Sequence, residues 1–382
     1  MKKWKTDYLI KGLMLWMLVF LSTYATSQTP EKQFTFAVGW GVDTSQTLNR
    51  QIAEFVEGYI NEFANCNTAS ELDRFWHKPK VIKDSLFDQG LDFLTRGGSI
   101  GSFMNAHDAI LTSISPLRDS VFKASVVFLT KDDYPNSGRS KFRAIYEYNV
   151  DISKGGYYFI NNIDLFMYDA IKTTDKGVTY YYRDTSHFLK SDANKTALLI
   201  ETFYEKFPNS SAPQFDFIIC KDVAELGWCL NLTHSHNVMT TGVASNPNSF
   251  LLSAKGSAYY PHETIHVIAP NYIPGFLWEG FATYFGGSGG ENYAEFINSD
   301  TRLTEETITH FVEEKYYDWY YHYVFGALLC DYVFNDIAVK DYEVFFNSFT
   351  NFEEMIDVLE KKYNVSKTQL IQDLNVKYDF HR

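Results

Sequence analysis

Residues 261–266 read Pro-His-Glu-Thr-Ile-His, and residues 276–285 read Phe-Leu-Trp-Glu-Gly-Phe-Ala-Thr-Tyr-Phe. The first stretch contains the pattern H-E-x-x-H. Residues four apart on a helix lie on the same face, so His262 and His266 can direct their imidazoles at one metal ion. Glu263 projects beside them, within reach of a water bound at that ion. The first stretch therefore predicts a metal-binding helix that also carries a carboxylate.

The second stretch supplies a candidate for a third metal ligand. Glu279 lies there among bulky apolar residues, and a carboxylate in such surroundings is costly to bury unless it is paired or metal-bound. Gly280 is small, as a close approach of two helices requires. We expect His262, His266 and Glu279 to hold one metal ion per chain. The alternative is a pair of histidines that simply pack within a helix.

These residues carry a resemblance to a known family. The H-E-x-x-H of residues 262–266, followed after twelve residues by E-G-x-A at 279–282, resembles the gluzincin metallopeptidases (peptidase MA-like). The resemblance covers about residues 178–382. It implies a small sheet and a mainly helical C-terminal half. It also implies one Zn2+ ion per chain held by His262, His266 and Glu279, and Glu263 as the catalytic general base. The spacer is shorter than in thermolysin, and no G-x-M-E-N motif precedes the helix, so aminopeptidase action is not supported.

The same resemblance implies a donor for the oxyanion and a place for the substrate. Gluzincin aminopeptidases use the tyrosine of a Tyr-x-x-Gly helix start as the donor, and Tyr323 with Gly326 matches that pattern. Tyr320 and Tyr321 are neighbouring alternatives, and a packing role is a further one in a chain with 27 tyrosines. An edge strand before the zinc helix pairs with extended substrate in these enzymes, and residues 249–253 are the expected strand.

A separate α+β unit is predicted over residues 34–172. Apolar residues recur at helical spacing over residues 49–65, and a helix is also predicted over residues 103–113. Runs rich in β-branched and aromatic residues predict strands at 121–129, 142–150 and 157–166. This order of helices and then a meander resembles the cone-shaped nuclear-transport-factor-2-like fold. A polar break at residues 173–176 predicts the boundary with the second unit.

The second unit begins with strands and continues with helices. Strands are predicted at 178–182, 215–220 and 249–253, a helix at 193–207, and mostly helix beyond residue 260. The whole chain is therefore expected to be α+β, with an N-terminal unit over 34–172 and a zinc metallopeptidase-like domain over 178–382.

Composition excludes several classes of protein. The chain has 382 residues, of which 45% are hydrophobic and 17% aromatic, so extensive disorder is excluded. The net charge is -13 and lysine and arginine form no run, which makes nucleic acid a poor partner. Four cysteines allow a disulfide; Cys220 and Cys229 are close enough in sequence to pair, and buried thiols are the equal alternative.

Residues 1–27 have the pattern of a signal peptide. Lys2, Lys3 and Lys5 form a positive segment before an apolar run at residues 12–21, and Ala25-Thr26-Ser27 provides small residues before Gln28. Cleavage between Ser27 and Gln28 would export the protein to the periplasm or the extracellular space. An uncleaved anchor is the alternative. No later stretch is apolar enough for a membrane span, so no stable span is expected after signal removal.

The sequence as a whole predicts an exported zinc-dependent metallohydrolase, most simply a peptidase acting on peptides or proteins. The alternative is a non-catalytic extracytoplasmic binding protein. In that case residues 34–172 would provide the function, and the zinc domain would be a retained scaffold.

Overall fold

The computed structural model describes residues 34–65, 69–80, 88, 90, 103–104, 106–131, 142–153, 155–208, 214–235, 240–245, 249–300, 302–314 and 319–378. The predicted signal peptide at residues 1–27 and Cys66 lie outside the described residues. The fold is mixed α+β, as the sequence predicts.

Two sheets are formed by the described strands. In chain order the strands are β1 (Phe36–Val38), β2 (His107–Arg118), β3 (Val121–Thr130), β4 (Phe142–Asp151), β5 (Tyr158–Ile160), β6 (Ile171–Asp175), β7 (Val178–Tyr182), β8 (Phe215–Ile219), β9 (Leu232–Ser235), β10 (Gly242–Ser245) and β11 (Phe250–Ser253). The first sheet has the order β1-β2-β3-β4-β5, with β9 also paired to β4. The second has the order β10-β11-β8-β7-β6.

Helices follow the first strand and dominate the C-terminal half. In chain order they are α1 (Thr47–Asn65), α2 (Asn162–Asp169), α3 (Lys190–Lys206), α4 (Val223–Cys229), α5 (Pro261–Ile268), α6 (Trp278–Gly286), α7 (Tyr293–Ser299), α8 (Glu305–Glu314), α9 (Trp319–Asn335), α10 (Tyr342–Phe346), α11 (Phe352–Val358) and α12 (Lys367–Tyr378). Short 3-10 helices lie at Ala69–Phe75, Thr185–His187 and Gly275–Leu277, and a π-helical turn at Leu359–Tyr363. No helix within the described ranges is long and apolar enough to cross a membrane.

Two predicted elements of the N-terminal part are wrong. The helix predicted over residues 103–113 is mostly strand: β2 begins at His107 and pairs with both β1 and β3. The strand predicted over residues 157–166 ends early, at Ile160 in β5. Helix α2 then begins, because the Asn161 side chain accepts a hydrogen bond from the Ile163 amide and caps the helix. Both errors arise from short apolar runs, which fit either helix or strand.

The second sheet lies between two cores. Side chains alternate along its strands, so Tyr180 and Phe217 join the core formed with the C-terminal helices. Tyr181 and Ile218, one residue further along, join the core of the N-terminal part. This sheet therefore supports the helical half on one face and contacts the N-terminal core on the other.

Strands before the predicted domain boundary pair with strands that follow it. Residues 173–175 belong to β6, which forms an antiparallel hairpin with β7. Strand β9, from the second half of the chain, pairs with β4 of the first sheet. The boundary at residues 173–176 stays a prediction, and these hydrogen bonds join the chain segments that lie before and after it.

Cys220 and Cys229 are close together and buried as free thiols. Their Sγ atoms are 3.8 Å apart; Cys220 directly follows β8, and Cys229 is the last residue of α4. Cys330 is also a buried free thiol. The described cysteines therefore take the buried-thiol alternative.

Candidate metal centre

Helix α5 presents the two histidines of the H-E-x-x-H pattern on one face. Pro261 occupies the first turn, where its missing N–H costs nothing, and the Tyr260 carbonyl accepts hydrogen bonds from the Thr264 amide and hydroxyl. His262 and His266 are each 7% exposed, and their ring centroids are 4.9 Å apart. The predicted helix and the predicted common face are both present.

Helix α6 brings Glu279 to the same point. Its Oε2 atom lies 3.2 Å from Nε2 of His262 and 3.1 Å from Nε2 of His266. One ligand atom from each of the three residues lies within 4.8 Å of the others. Tetrahedral zinc with bonds of about 2.0–2.1 Å holds its ligand atoms about 3.3 Å apart. The spacing and the N,N,O donor set therefore fit a zinc ion.

Glu279 and His262 each favour the charged form of the other. Burial alone would raise the pKa of Glu279, but hydrogen bonds from His262 and His266 outweigh it and lower that pKa far below its usual range. Burial alone would lower the pKa of His262, but the hydrogen bond to Glu279 and the charges of Glu263 and Glu279 raise it instead. The Glu279 carboxylate therefore lies between two imidazoles, and its charged form requires positive charge nearby.

The ring of His262 is oriented by a backbone carbonyl. Its Nδ1 atom lies 2.8 Å from the Gly287 carbonyl oxygen, which can only accept, so Nδ1 carries a proton and Nε2 is the ring nitrogen available to bind a metal ion. The ring of His266 is stacked on Trp278, with centroids 5.5 Å apart. A Cβ atom on Gly286 would lie 2.7 Å from the His262 amide nitrogen, so the end of α6 contacts the start of α5 directly.

Helix α9 approaches α6 backbone to backbone. A Cβ atom on Gly280 would lie 2.1 Å from the Gly326 carbonyl carbon, and one on Gly326 would lie 2.8 Å from the Gly280 Cα atom. Only glycine at both positions allows this contact. The sequence predicts a close approach at Gly280, and the structure identifies Gly326 as the residue opposite.

Tyr323 lies one turn before Gly326 and reaches the trio. Its ring is stacked on His262, with centroids 5.5 Å apart and planes 9° apart. Burial and then the charge of Glu279, which its hydroxyl contacts, raise the pKa of Tyr323 far above the ordinary value. Tyr321 instead packs between Phe311 and Phe325. The side chain of Tyr320 lies outside the described residues.

A cleft of about 690 Å3 opens in front of Glu263. Its walls are the residues before β10, the start of α5, the turn that joins α6 to α7, and Tyr323. The lining residues are Thr240, Thr241, Lys255, Tyr259, Tyr260, Pro261, His262, Glu263, Gly286, Gly287, Ser288, Gly289, Gly290, Glu291, Asn292, Glu295 and Tyr323. Of the predicted site residues, His262, Glu263 and Tyr323 line this cleft.

The strand next to the cleft is a different one from the strand predicted. Residues 249–253 were expected at the edge, but β11 lies between β10 and β8 inside the sheet. The edge is β10, and a Cβ atom on its Gly242 would lie 2.5 Å from Cγ of Glu263. Sequence analysis missed β10 because a four-residue strand that begins with glycine carries almost no periodic signal.

Comparison of the chain with protein-family models, with curated proteins and with solved structures found no match.

Proposed function

We propose that this protein is an exported zinc-dependent metallohydrolase, most simply a peptidase of the gluzincin type, located in the periplasm or outside the cell. The observation that carries the proposal is the position of the Glu279 carboxylate, 3.2 Å and 3.1 Å from the two histidine Nε2 atoms of an H-E-x-x-H helix. Three ligands leave a fourth position of a tetrahedral ion for water, as catalytic zinc sites do. The cleft in front of Glu263 gives a substrate access to that position.

The side chains around the trio support a hydrolytic mechanism. A bound zinc ion would act as a Lewis acid and lower the pKa of a water. Glu263, half-buried at the cleft, would accept a proton from the attacking water and deliver it to the leaving amine. Tyr323, stacked on His262, would donate a hydrogen bond to the developing oxyanion. His262 would be held in one tautomer by the Gly287 carbonyl.

An extended peptide is the substrate class that best fits the edge of the second sheet. Among the described strands, β10 is an edge strand of the second sheet and pairs with β11. Thr241 and Val243 direct their backbone groups toward β11, as the bond from the Ala254 amide to the Thr241 carbonyl indicates. In an antiparallel ladder the next residues then face outward, which leaves Ala244 to pair with a peptide laid along the cleft.

The experiment begins with metal content. Purified protein should bind one zinc ion per chain by mass spectrometry and titration, and Glu279→Ala should release it or weaken its binding strongly. Glu263→Gln should keep the ion and lose hydrolysis of an unfolded protein such as reduced casein, because an amide cannot accept the proton. Glu201→Gln, which removes an exposed carboxylate paired with Lys176, is the matched control and should change neither quantity.

Two results would contradict the proposal. Unchanged zinc content in Glu279→Ala would remove Glu279 from the metal site. Retained turnover in Glu263→Gln would remove Glu263 as the general base. Zinc binding without hydrolysis of any protein or peptide would favour the alternative of a binding protein that keeps a zinc scaffold.

A further inference from the structure

A hydrogen bond joins the start of the histidine helix to the edge of the second sheet. The Tyr260 hydroxyl and the Thr241 Oγ1 atom lie 2.6 Å apart. Tyr260 is the residue before α5, and its carbonyl is held by both the amide and the hydroxyl of Thr264. Thr241 is the residue before β10, and its carbonyl accepts from the Ala254 amide across the sheet. Each partner is thus fixed to its own element, and the hydroxyl pair connects the two elements.

The contact between these elements is very close at Gly242. A Cβ atom there would lie 2.4 Å from Cε1 of Tyr260 and 2.5 Å from Cγ of Glu263. The edge strand therefore rests its backbone on the Tyr260 ring and on the Glu263 side chain together. Both groups of Gly242 are also engaged locally, since its carbonyl accepts from the Thr240 hydroxyl at 2.5 Å and its amide lies 3.3 Å from the same atom.

We propose that Tyr260 and Thr241 form a latch that holds the edge strand β10 against Glu263, which makes Tyr260 a positioning residue for hydrolysis. The latch sets two distances at once. It fixes the Glu263 carboxylate against a backbone that cannot yield to it, and it fixes the outward-facing groups of Ala244 relative to that carboxylate. A peptide paired with the strand is thereby held at a set distance from the group that activates water.

The role of Tyr260 in positioning Glu263 rests on the proposed hydrolysis. The claim that the hydrogen bond holds β10 in place does not. Loss of either hydroxyl removes the same hydrogen bond. The latch therefore predicts that the losses of activity in the two single variants do not add in the double variant. Two residues that act only through each other give a double variant no worse than either single one. If the Tyr260 hydroxyl instead contacted the substrate directly, its loss would lower activity whether or not Thr241 was also replaced.

The test uses the full chain loaded with zinc, as Tyr260→Phe, Thr241→Val and the double variant. Hydrolysis is followed with a fluorogenic peptide that the unmodified protein cleaves, and exchange of the backbone amides in residues 240–245 is followed by mass spectrometry. One lost hydrogen bond corresponds to a factor of about 2–13. We expect kcat/KM to fall by about that factor equally in all three variants, zinc affinity to stay within about twofold, and exchange in residues 240–245 to accelerate.

The chain contains a matched control pair on the opposite edge of the same sheet. Thr173 Oγ1 and the Tyr182 hydroxyl lie 2.9 Å apart, joining β6 to β7. Thr173→Val and Tyr182→Phe lose the same kind of bond, and we expect them to leave kcat/KM and the exchange of residues 240–245 unchanged. A loss of activity in this pair equal to that in the latch variants would mean that general destabilisation, and not the latch, explains the effect.

Each other outcome also bears on the latch. Unchanged exchange in residues 240–245 overturns it, whatever the activity. Full activity in Thr241→Val beside impaired Tyr260→Phe, or additive losses in the double variant, overturns it in favour of a direct role for Tyr260. If the unmodified protein binds zinc and cleaves no peptide, the proposed hydrolysis fails, while the exchange comparison still tests whether the latch exists.

Discussion

Replacing Gly280 by alanine tests the close packing that brings Glu279 to the histidines. The new Cβ atom would lie 2.1 Å from the Gly326 carbonyl carbon, whereas ordinary contacts begin at 3.4 Å, so α6 and α9 must separate by about 1.3 Å. Alanine itself favours a helix by about 1 kcal/mol over glycine. Overpacking against rigid backbone costs about 3 kcal/mol or more. We therefore expect a net loss of at least about 2 kcal/mol in the free energy of unfolding.

The same shift should weaken metal binding. Glu279 is the neighbour of Gly280, and its carboxylate would move by a distance several times larger than the roughly 0.2 Å tolerance of a zinc site. We expect the zinc affinity to fall by at least about tenfold. Urea unfolding of the zinc-free protein measures the packing cost, and zinc titration measures the displacement of Glu279.

Two other glycines provide comparison variants for the change in the free energy of unfolding. A Cβ atom on Gly58, within α1, meets nothing within 4 Å, so Gly58→Ala should raise stability by about 1 kcal/mol. A Cβ atom on Gly326 meets the Gly280 Cα atom at 2.8 Å. The free energy of unfolding of Gly326→Ala should therefore lie between those of Gly280→Ala and Gly58→Ala. The argument is refuted if Gly280→Ala is as stable as Gly58→Ala, since the helices would then not touch at Gly280.

Further predictions concern the oxyanion donor, acid stability and the hairpin at the predicted boundary. Tyr323→Phe should lower kcat by about a hundredfold at unchanged zinc content, since the phenol acts on charge that appears in the transition state, and Tyr321→Phe is its control; equal loss in the control would contradict the assignment. Burial alone would raise the pKa of Asp151, but hydrogen bonds from Ser153, His77 and Ser120 lower it below 3.8. Its contribution to stability is therefore complete above about pH 4 and lost as the pH falls further. Asp151→Asn should cost about 1–3 kcal/mol at pH 7, and the difference from the unmodified protein should shrink in urea unfolding at pH 3 and below; a constant difference would exclude this origin. Trypsin should cut after the exposed Lys176 in the β6–β7 turn, and the fragments should stay associated in gel filtration because the second sheet joins both cores; separate fragments would favour two independent domains.

Local geometry made the trio of His262, His266 and Glu279 predictable from the sequence. Two histidines four residues apart share a helix face whatever the rest of the fold does, and the structure brings them together with Glu279. Glu279 could be found because a carboxylate in an apolar helix needs a partner. The long amphipathic helix α1 was also predictable from its own periodicity, and strands β3 and β4 from their runs of β-branched and aromatic residues.

Short segments and contacts between distant residues required the tertiary structure. The chain after His107 became a strand because β1 and β3 were there to pair with it, and no pattern within the segment records those partners. Strand β10 is four residues long, and its place at the edge follows from the position of β11, not from its own residues. No pattern around Gly242 or Gly326 indicates which residue each of them contacts. They matter because Glu263 and Gly280 lie against them, and such contacts exist only after the chain has brought together residues that are 21 and 46 positions apart. A sequence records the conformational preference of each segment, whereas the distance between two segments depends on everything packed between them.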